Sequence, residues 1–305
     1  MGARVTEAIV PTQLTEIAEG LLFPEGPVAM ADGSVVLVEM FAERVTRVLP
    51  DGTKETVAEV TGAPNGLALG DDGAFYVCNN GRAFSDVEVD GMHFPGHFDP
   101  SRYIGGRIQR VDPVTGVVTD LYTECDGRPL RAPNDLVMDA HGGFYFTDHG
   151  IRDARGRSQD LTGIYYARCD GSLIREVAFP ALSPNGIGLS ADGTVLYWAE
   201  TFTGHVFRRD VAAPGELVPD PNPFLTGHFH TLAGRGMSDS LGVDARGWVC
   251  VATLLEGGIT AISPDGTQAE FRPMPDPLTT NICFAGDTAY VTLSATGKLV
   301  SFPWP

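Results

Sequence analysis

Six polar side chains stand at the head of six hydrophobic segments, and their oxygens are the donors that a hard cation takes. They are Glu25 (PEGPVAM), Asn65 (PNGLALG), Asn134 (PNDLVMD), Asn185 (PNGIGLS), Asp239 (SDSLGVD) and Asn281 (TNICFAG). Carboxylate and amide oxygens suit a divalent ion and leave positions free for water or substrate. A carboxylate beside such an ion could activate water toward a polarised carbonyl. Taken singly, each residue reads as a turn former, because Asn before Gly or Asp favours Asx turns. What turns six turn residues into a candidate site is their register.

In the first five copies a glycine follows eight residues later (Gly33, Gly73, Gly142, Gly193, Gly247), and a second apolar run comes next. Each copy reads as strand, tight turn, strand. The copies are spaced by 40, 69, 51, 54 and 42 residues, the period of propeller blades. Further strand pairs lie between them, for instance around Asp51-Gly52, Asp170-Gly171 and Asp265-Gly266. The chain therefore predicts an all-β, six-bladed β-propeller with a central metal site, in one domain spanning 1–305. If each polar residue begins the innermost strand of its blade, all six converge on the axis. The N-terminal segment near TEIAEG is expected to complete the last blade and close the ring.

The widest gap holds an insert, 81–106, expected as a long ordered loop near the axial mouth. Two other irregular stretches, 149–163 and 219–237, could roof the same mouth. Net charge is −18, from 39 acidic and 21 basic residues among 305, which argues against nucleic acid and anionic membranes as partners. Five dispersed cysteines in no CxxC pair argue against a disulfide framework. The first twenty residues lack the pattern of a signal peptide, and no run reaches membrane-spanning length, so a cytoplasmic location is expected. There is no GxSxG elbow, no HExxH and no phosphate-binding glycine loop.

The stretches PEGP (24–27), PNDLVMDAHGGFYFTD (133–148), PNGIGLSADGTVLYWAET (184–201) and SDSLGVDARGWVCVA (238–252) resemble the SMP-30/gluconolactonase family, which includes regucalcin-like and diisopropylfluorophosphatase-like proteins. The resemblance implies a divalent cation on the axis, most often calcium, with zinc, manganese or magnesium as alternatives. It assigns Glu25, Asn134, Asn185 and Asp239 as ligands. Asn65 and Asn281 occupy the equivalent places in the remaining blades and are expected to line the channel beside the substrate. His149, at the end of the strand launched from Asn134, and Arg131 are candidate substrate contacts. The sequence departs from the family where PDG is usual: Ser238-Asp239-Ser240 keeps the carboxylate and loses the glycine. Animal members place an arginine two residues before the ligand Asn, whereas Arg131 lies three before Asn134.

The expected chemistry is metal-dependent opening of a lactone, with Asp239 as general base toward water or, alternatively, as nucleophile. The substrate is a small molecule, a sugar lactone or a more apolar one, given Phe84, Phe94 and Phe98 in the insert. A phosphotriesterase on the same platform and a non-catalytic, calcium-stabilised binding propeller are the alternatives.

Overall fold

Every axial strand of this protein begins at a proline, serine or threonine just ahead of its polar residue, and its second strand returns through an Asp-containing turn. In the turn after Pro184–Leu189, Asp192 accepts from the Thr194 amide at 3.1 Å, and Gly193 adopts φ 69°, which disfavours side chains. Repeating this unit builds the fold. The computed structural model describes residues 5–11, 13–219 and 227–305. Part of the irregular stretch 219–237 thus lies outside the described residues.

The described residues form a six-bladed β-propeller without helices. Blade one is Pro24–Ala29, Val35–Glu39, Arg44–Val48 and Lys54–Glu59. Blade two is Pro64–Leu69, Phe75–Asn79, Arg107–Val111 and Val118–Tyr122. Blade three runs Pro133–Met138, Gly143–Asp148, Leu161–Arg168, Ile174–Leu182. Blade four is Pro184–Leu189, Val195–Glu200 and His205–Ala213, with Glu216–Leu217 and His228–Thr231 both paired to the third strand. Blade five is Ser238–Val243, Val249–Thr253, Gly258–Ile262 and Ala269–Pro273. Blade six is Thr279–Ala285, Thr288–Leu293 and Lys298–Pro303, completed by Thr15–Ala18 from the other end of the chain.

That N-terminal strand completes the last blade, as the sequence predicts; it runs antiparallel to Lys298–Pro303, with Thr15 opposite Ser301. The strand before it, Val5–Ala8, adds in parallel to the outer edge of blade five, with Val5 opposite Ala269. The sequence reading had not foreseen this second attachment. Each inner strand packs on the next and the sixth packs on the first, so the ring is closed. Apolar clusters fill the six gaps between blades. Phe144 and Phe146 stack with Ile108 and Tyr76 between blades two and three, and Val251 and Ile262 meet Leu241 and Tyr197 between four and five. None of the five cysteines is in a disulfide. Among the described residues no helix is long and apolar enough to cross a membrane.

Blades five and six are also tied by one carboxylate. Buried Asp244 accepts from the Trp304 indole Nε1 at 2.8 Å, Arg246 Nη2 at 2.7 Å and the Arg246 and Trp248 amides at 2.9 Å each. Burial works to raise its pKa, but these donors outweigh it and hold the value below the ordinary one. Asp244→Ala leaves a buried indole N–H unpaired, and we expect a loss of about 2–4 kcal/mol in urea unfolding. Since the folded pKa is depressed, the Asp244 contribution is complete above the unfolded value near 4 and is lost as pH falls through the lower folded value. The gap between wild type and variant should therefore narrow below about pH 4 and stay constant above it.

Candidate metal centre and active site

Each axial strand breaks register with its second strand next to its polar residue. The shifts fall between Glu25 and Val28, Pro64 and Leu67, Pro133 and Leu136, Pro184 and Ile187, Ser238 and Leu241, and Thr279 and Asn281. A bulge at that point re-aims the side chain, here at the start of the strand closest to the axis. Close packing of the inner strands demands small residues beside the bulge. A Cβ on Gly66 would sit 2.6 Å from the Asn134 carbonyl oxygen, and one on Gly26 2.6 Å from the Leu67 amide.

Glu25, Asn65, Asn134, Asn185 and Asn281 are buried. Asp239 keeps part of its surface open. The structure thus brings the polar residues of neighbouring blades together. Asn281 Nδ2 lies 3.4 Å from Glu25 Oε2, joining the first and last blades. Asn185 donates Nδ2 to Thr201 Oγ1 at 3.1 Å, and Asn65 donates its Nδ2 to Met40 Sδ at 3.5 Å. These bonds occupy the amide nitrogens. Asn134 Oδ1 is buried and accepts no hydrogen bond.

Charge is equally lopsided. Burial, then repulsion from Asp239 and Asp135, pushes the Glu25 carboxyl well above its usual range. Burial lifts Asp239 to about 8 and Asp135 to about 7. Among the described residues no lysine or arginine forms an ion pair with any of the three, and none is among the main causes of their shifts. Two buried carboxyls and a partly exposed one, unpaired with any cationic side chain among the described residues, with an amide oxygen that accepts no hydrogen bond, match the donor chemistry of a hard divalent ion. Two carboxylates and two amides would neutralise a dication without excess charge. Among the described residues no group of three or more His, Cys, Asp or Glu has metal-holding geometry. The set rests on amides as much as on acids.

Asp135 and Ser240 are the site residues that motif reading passed over. Asp135 follows Asn134 and would alternate away from it in a regular strand; the bulge between Pro133 and Leu136 removes that alternation. Ser240 stands where the family motif has glycine. Its hydroxyl points at Asn185 Oδ1, 3.5 Å away, and at the Asp135 carboxyl. The lost glycine has become a hydroxyl bridge between blades three, four and five. The signal was in the sequence: the acid after Asn134 and the hydroxyl after Asp239 take the place filled by Gly26, Gly66 and Gly186 elsewhere.

A second layer surrounds the six. The residue after each second strand donates its amide to the carbonyl two or three places before the axial residue. Met40 bonds Phe23, Asn80 bonds Ala63, His149 bonds Ala132, Thr201 bonds Ser183, Leu254 bonds Met237 and Ser294 bonds Leu278, all at 2.9–3.1 Å. His149 therefore holds beside Asn134 the place that Thr201 holds beside Asn185. It is buried between Phe84 and Phe202, with ring centroids 5.5 and 5.8 Å away. Its Nδ1 lies 3.2 Å from the Gly150 carbonyl oxygen, which only accepts, so the neutral ring carries its proton there. Burial pulls the imidazole down to about 4, making it neutral at pH 7. Arg131 is placed differently. Its Nε is 2.8 Å from Asp160 and its guanidinium lies over Tyr103, with the side chain 41 % exposed. No hydrogen bond or ion pair joins that guanidinium to an axial residue among the described residues.

The insert 81–106 is more than a loop. It carries a two-stranded hairpin, Asp86–Val89 with Met92–Pro95, in which Phe94 faces Val87. Met92 and Phe94 pack on a cluster of Phe23, Met40, Ala63, Leu254, Leu278 and Ala295, and the His93 amide donates to Ala295 at 2.9 Å. The hairpin leaves blade two and reaches the turn between the last two strands of blade six.

Comparison with known proteins accords with this geometry. The sequence profile described as the SMP-30/Gluconolactonase/LRE-like region matches residues 23–295. Lactonase drp35 of Staphylococcus epidermidis is 26 % identical over 77 % of this chain, which spans only 64 % of that relative's length. The gluconolactonase of Zymomonas mobilis is 25 % identical over 93 % of this chain and 80 % of its own. Among solved structures, a Xanthomonas campestris gluconolactonase superposes with a TM-score of 0.74 at 22 % identity, covering 100 % of this chain and 95 % of that one. A calcium-binding regucalcin from Agrobacterium tumefaciens gives 0.72 at 19 %, covering 97 % and 95 %. At these identities the structures speak for the fold alone. The profile, spanning most of the chain, speaks for kinship: this protein belongs to the SMP-30/gluconolactonase/LRE-like family.

Proposed function

We propose that this protein is a divalent-metal-dependent lactonase. The observation that carries the reading is the buried Asn134 Oδ1, which accepts no hydrogen bond, together with the Glu25 and Asp239 carboxyls, which pair with no cationic side chain among the described residues. Glu25, Asn134, Asn185 and Asp239 would hold the cation, with calcium favoured by the all-oxygen donor set. When bound, it would supply Lewis-acid polarisation of the ester carbonyl.

The chain's own residues supply the rest. Asp239 is the only one of the three carboxyls with open surface, and it takes the proton from an attacking water. Asn185 and Ser240 orient it: an Asn185 hydrogen bond and the Ser240 amide both reach its carboxyl. Asn281 orients Glu25 in the same way. Asn65 and Asn281 line the channel beside the ring atoms of the substrate. His149, proton fixed on Nδ1, offers its other nitrogen as an acceptor to a substrate hydroxyl. Arg131 contributes at one remove, by pinning Asp160 and, through its amide at 2.6 Å from Asp148, the turn before Asn134.

The test is a pH-indicator assay on chelator-treated protein restored with calcium, magnesium, manganese or zinc. The panel would hold sugar lactones, alkyl lactones and a phosphotriester. Lactone opening that returns with the cation supports the reading. Preferred turnover of the phosphotriester would reassign the substrate, and a folded, cation-loaded protein inert to the whole panel would overturn lactonase action.

A further inference from the structure

The blades differ at the backbone amide three residues before each axial side chain. In blade one the Leu22 amide donates to Glu39 Oε2 at 2.8 Å. In blade two Gly62 donates to Glu43 Oε2 at 3.3 Å, in blade three Arg131 to Asp148 Oδ2 at 2.6 Å, and in blade four Leu182 to Glu200 Oε1 at 3.0 Å. In blade six Leu278 donates to Asp276 Oδ1 at 2.6 Å. A carboxylate accepting from an amide makes one of the stronger hydrogen bonds. The hold has something to resist. Phe23, Ala63 and Ser183, each one residue further along, sit at φ 57°, 70° and 51°, where side chains are strained.

Blade five is the exception. Gly236, three before Asp239, donates to Ala233 of its own loop at 3.2 Å. The second strand ends in Thr253 where blades one, three and four end in the buried acids Glu39, Asp148 and Glu200. Thr253 Oγ1 is engaged with Thr260 Oγ1 at 2.7 Å and the Val251 carbonyl at 3.2 Å. The nearest carboxylate hold is set one residue further out, on the Arg235 amide, from the exposed Glu256 at 2.8 Å. Gly236, at φ 63°, stands between that hold and Asp239. A glycine there leaves the backbone free to turn.

We infer that Glu39, Asp148 and Glu200 are positioning residues that fix Glu25, Asn134 and Asn185, and that Asp239 is left as the movable member of the set. This rests on the lactonase reading and deepens it. A carboxylate gripping a cation is a weak base. One that can swing from the cation toward water serves as ligand and base in turn.

The experiment reads calcium Kd by calorimetry beside kcat at saturating calcium. Glu200→Ala, which frees the Leu182 amide, should raise Kd about tenfold, and Glu200→Gln, which keeps an acceptor oxygen, should restore most of it. Thr253→Glu rebuilds the blade-one hold. Thr253 faces Gly258 as Glu39 faces Arg44, so Thr260 corresponds to Thr46, which donates to Glu39 at 2.6 Å. This variant should bind calcium more tightly and lose about tenfold in kcat. Asp244→Ala, weakened past the other end of the blade-five inner strand, controls for lost stability and should keep the wild-type Kd. Amide exchange in the calcium-loaded wild type needs no variant: Gly236 should exchange about tenfold or more faster than Leu22, Arg131 and Leu182.

Gly236 as slow as Leu182, or a Kd in Glu200→Ala no higher than in Asp244→Ala, overturns the inference and leaves lactonase action standing. Tighter calcium with wild-type kcat in Thr253→Glu overturns the mobility of Asp239. A wild type that opens no lactone, with Kd values and exchange rates that move as stated, sinks the lactonase reading and keeps the positioning roles.

Discussion

Asp239→Asn should lower kcat for lactone opening by about 10²–10⁴-fold while making the metal-free protein more stable. The loss follows from removing the one carboxyl of Glu25, Asp135 and Asp239 with open surface, the proposed acceptor of a proton from water; general-base contributions are of that size. The gain follows from the electrostatics of the axis. Glu25, Asp135 and Asp239 lie close together, each held toward its protonated form by desolvation, Glu25 also by both acidic neighbours and Asp239 also by Asp135. An amide in place of one acid keeps the shape and removes a like charge, worth about 1–3 kcal/mol in chemical unfolding without a divalent ion. A purely structural aspartate would give the reverse, with stability falling on substitution. Opposite movements of rate and metal-free stability in one variant are the signature of a site that tolerates repulsion for the sake of its ligand. Equal turnover in wild type and Asp239→Asn would remove this residue from the chemistry.

Stripping divalent ions from the wild type should abolish activity and lower its unfolding free energy by about 4 kcal/mol relative to protein held at a thousandfold excess of calcium over its Kd. The cation would bind the folded ring and not the open chain, because the proposed ligands Glu25, Asn134, Asn185 and Asp239 come from four different blades. Asn134→Ala is the companion variant. It deletes the oxygen that lacks a donor in the folded chain, so the fold itself loses no hydrogen bond at that atom. The calcium-dependent part of the stability should shrink steeply in Asn134→Ala, with the calcium-free part little changed. Calorimetric titration of calcium gives an independent check: a wild-type-like Kd in the variant would exclude Asn134 from the ligand set.

The propeller was legible because its information is repeated. One Asn-Gly segment says little, but six polar residues in register with five turn glycines fix the inner strand of every blade. The closing strand was readable for the same reason, since a last blade one strand short needs a partner. What could not be read were features that occur once. Val5–Ala8 pairs in parallel with blade five, a contact across the whole length of the chain that no local pattern announces. The hairpin 86–95 was hidden by its mixed composition, because its strands alternate only over four residues each. Asp135 was hidden by geometry: period-two reasoning sends it away from the axis, and the bulge returns it. Arg131 shows the converse limit. Its distance from Asn134 in sequence gave no sign that Asp160, from a different loop, would hold its guanidinium.

The clasp between Thr15–Ala18 and Lys298–Pro303 has a consequence for exchange kinetics. The seam it fastens is the one crossed by the Glu25–Asn281 contact, so the latch and one corner of the axial set act in series. Unzipping three residue pairs at the rim loosens the first blade from the sixth while the other five junctions stay shut. The ring would thus breathe along one line, and protons on the latch amides and whatever occupies the axis would escape through the same opening.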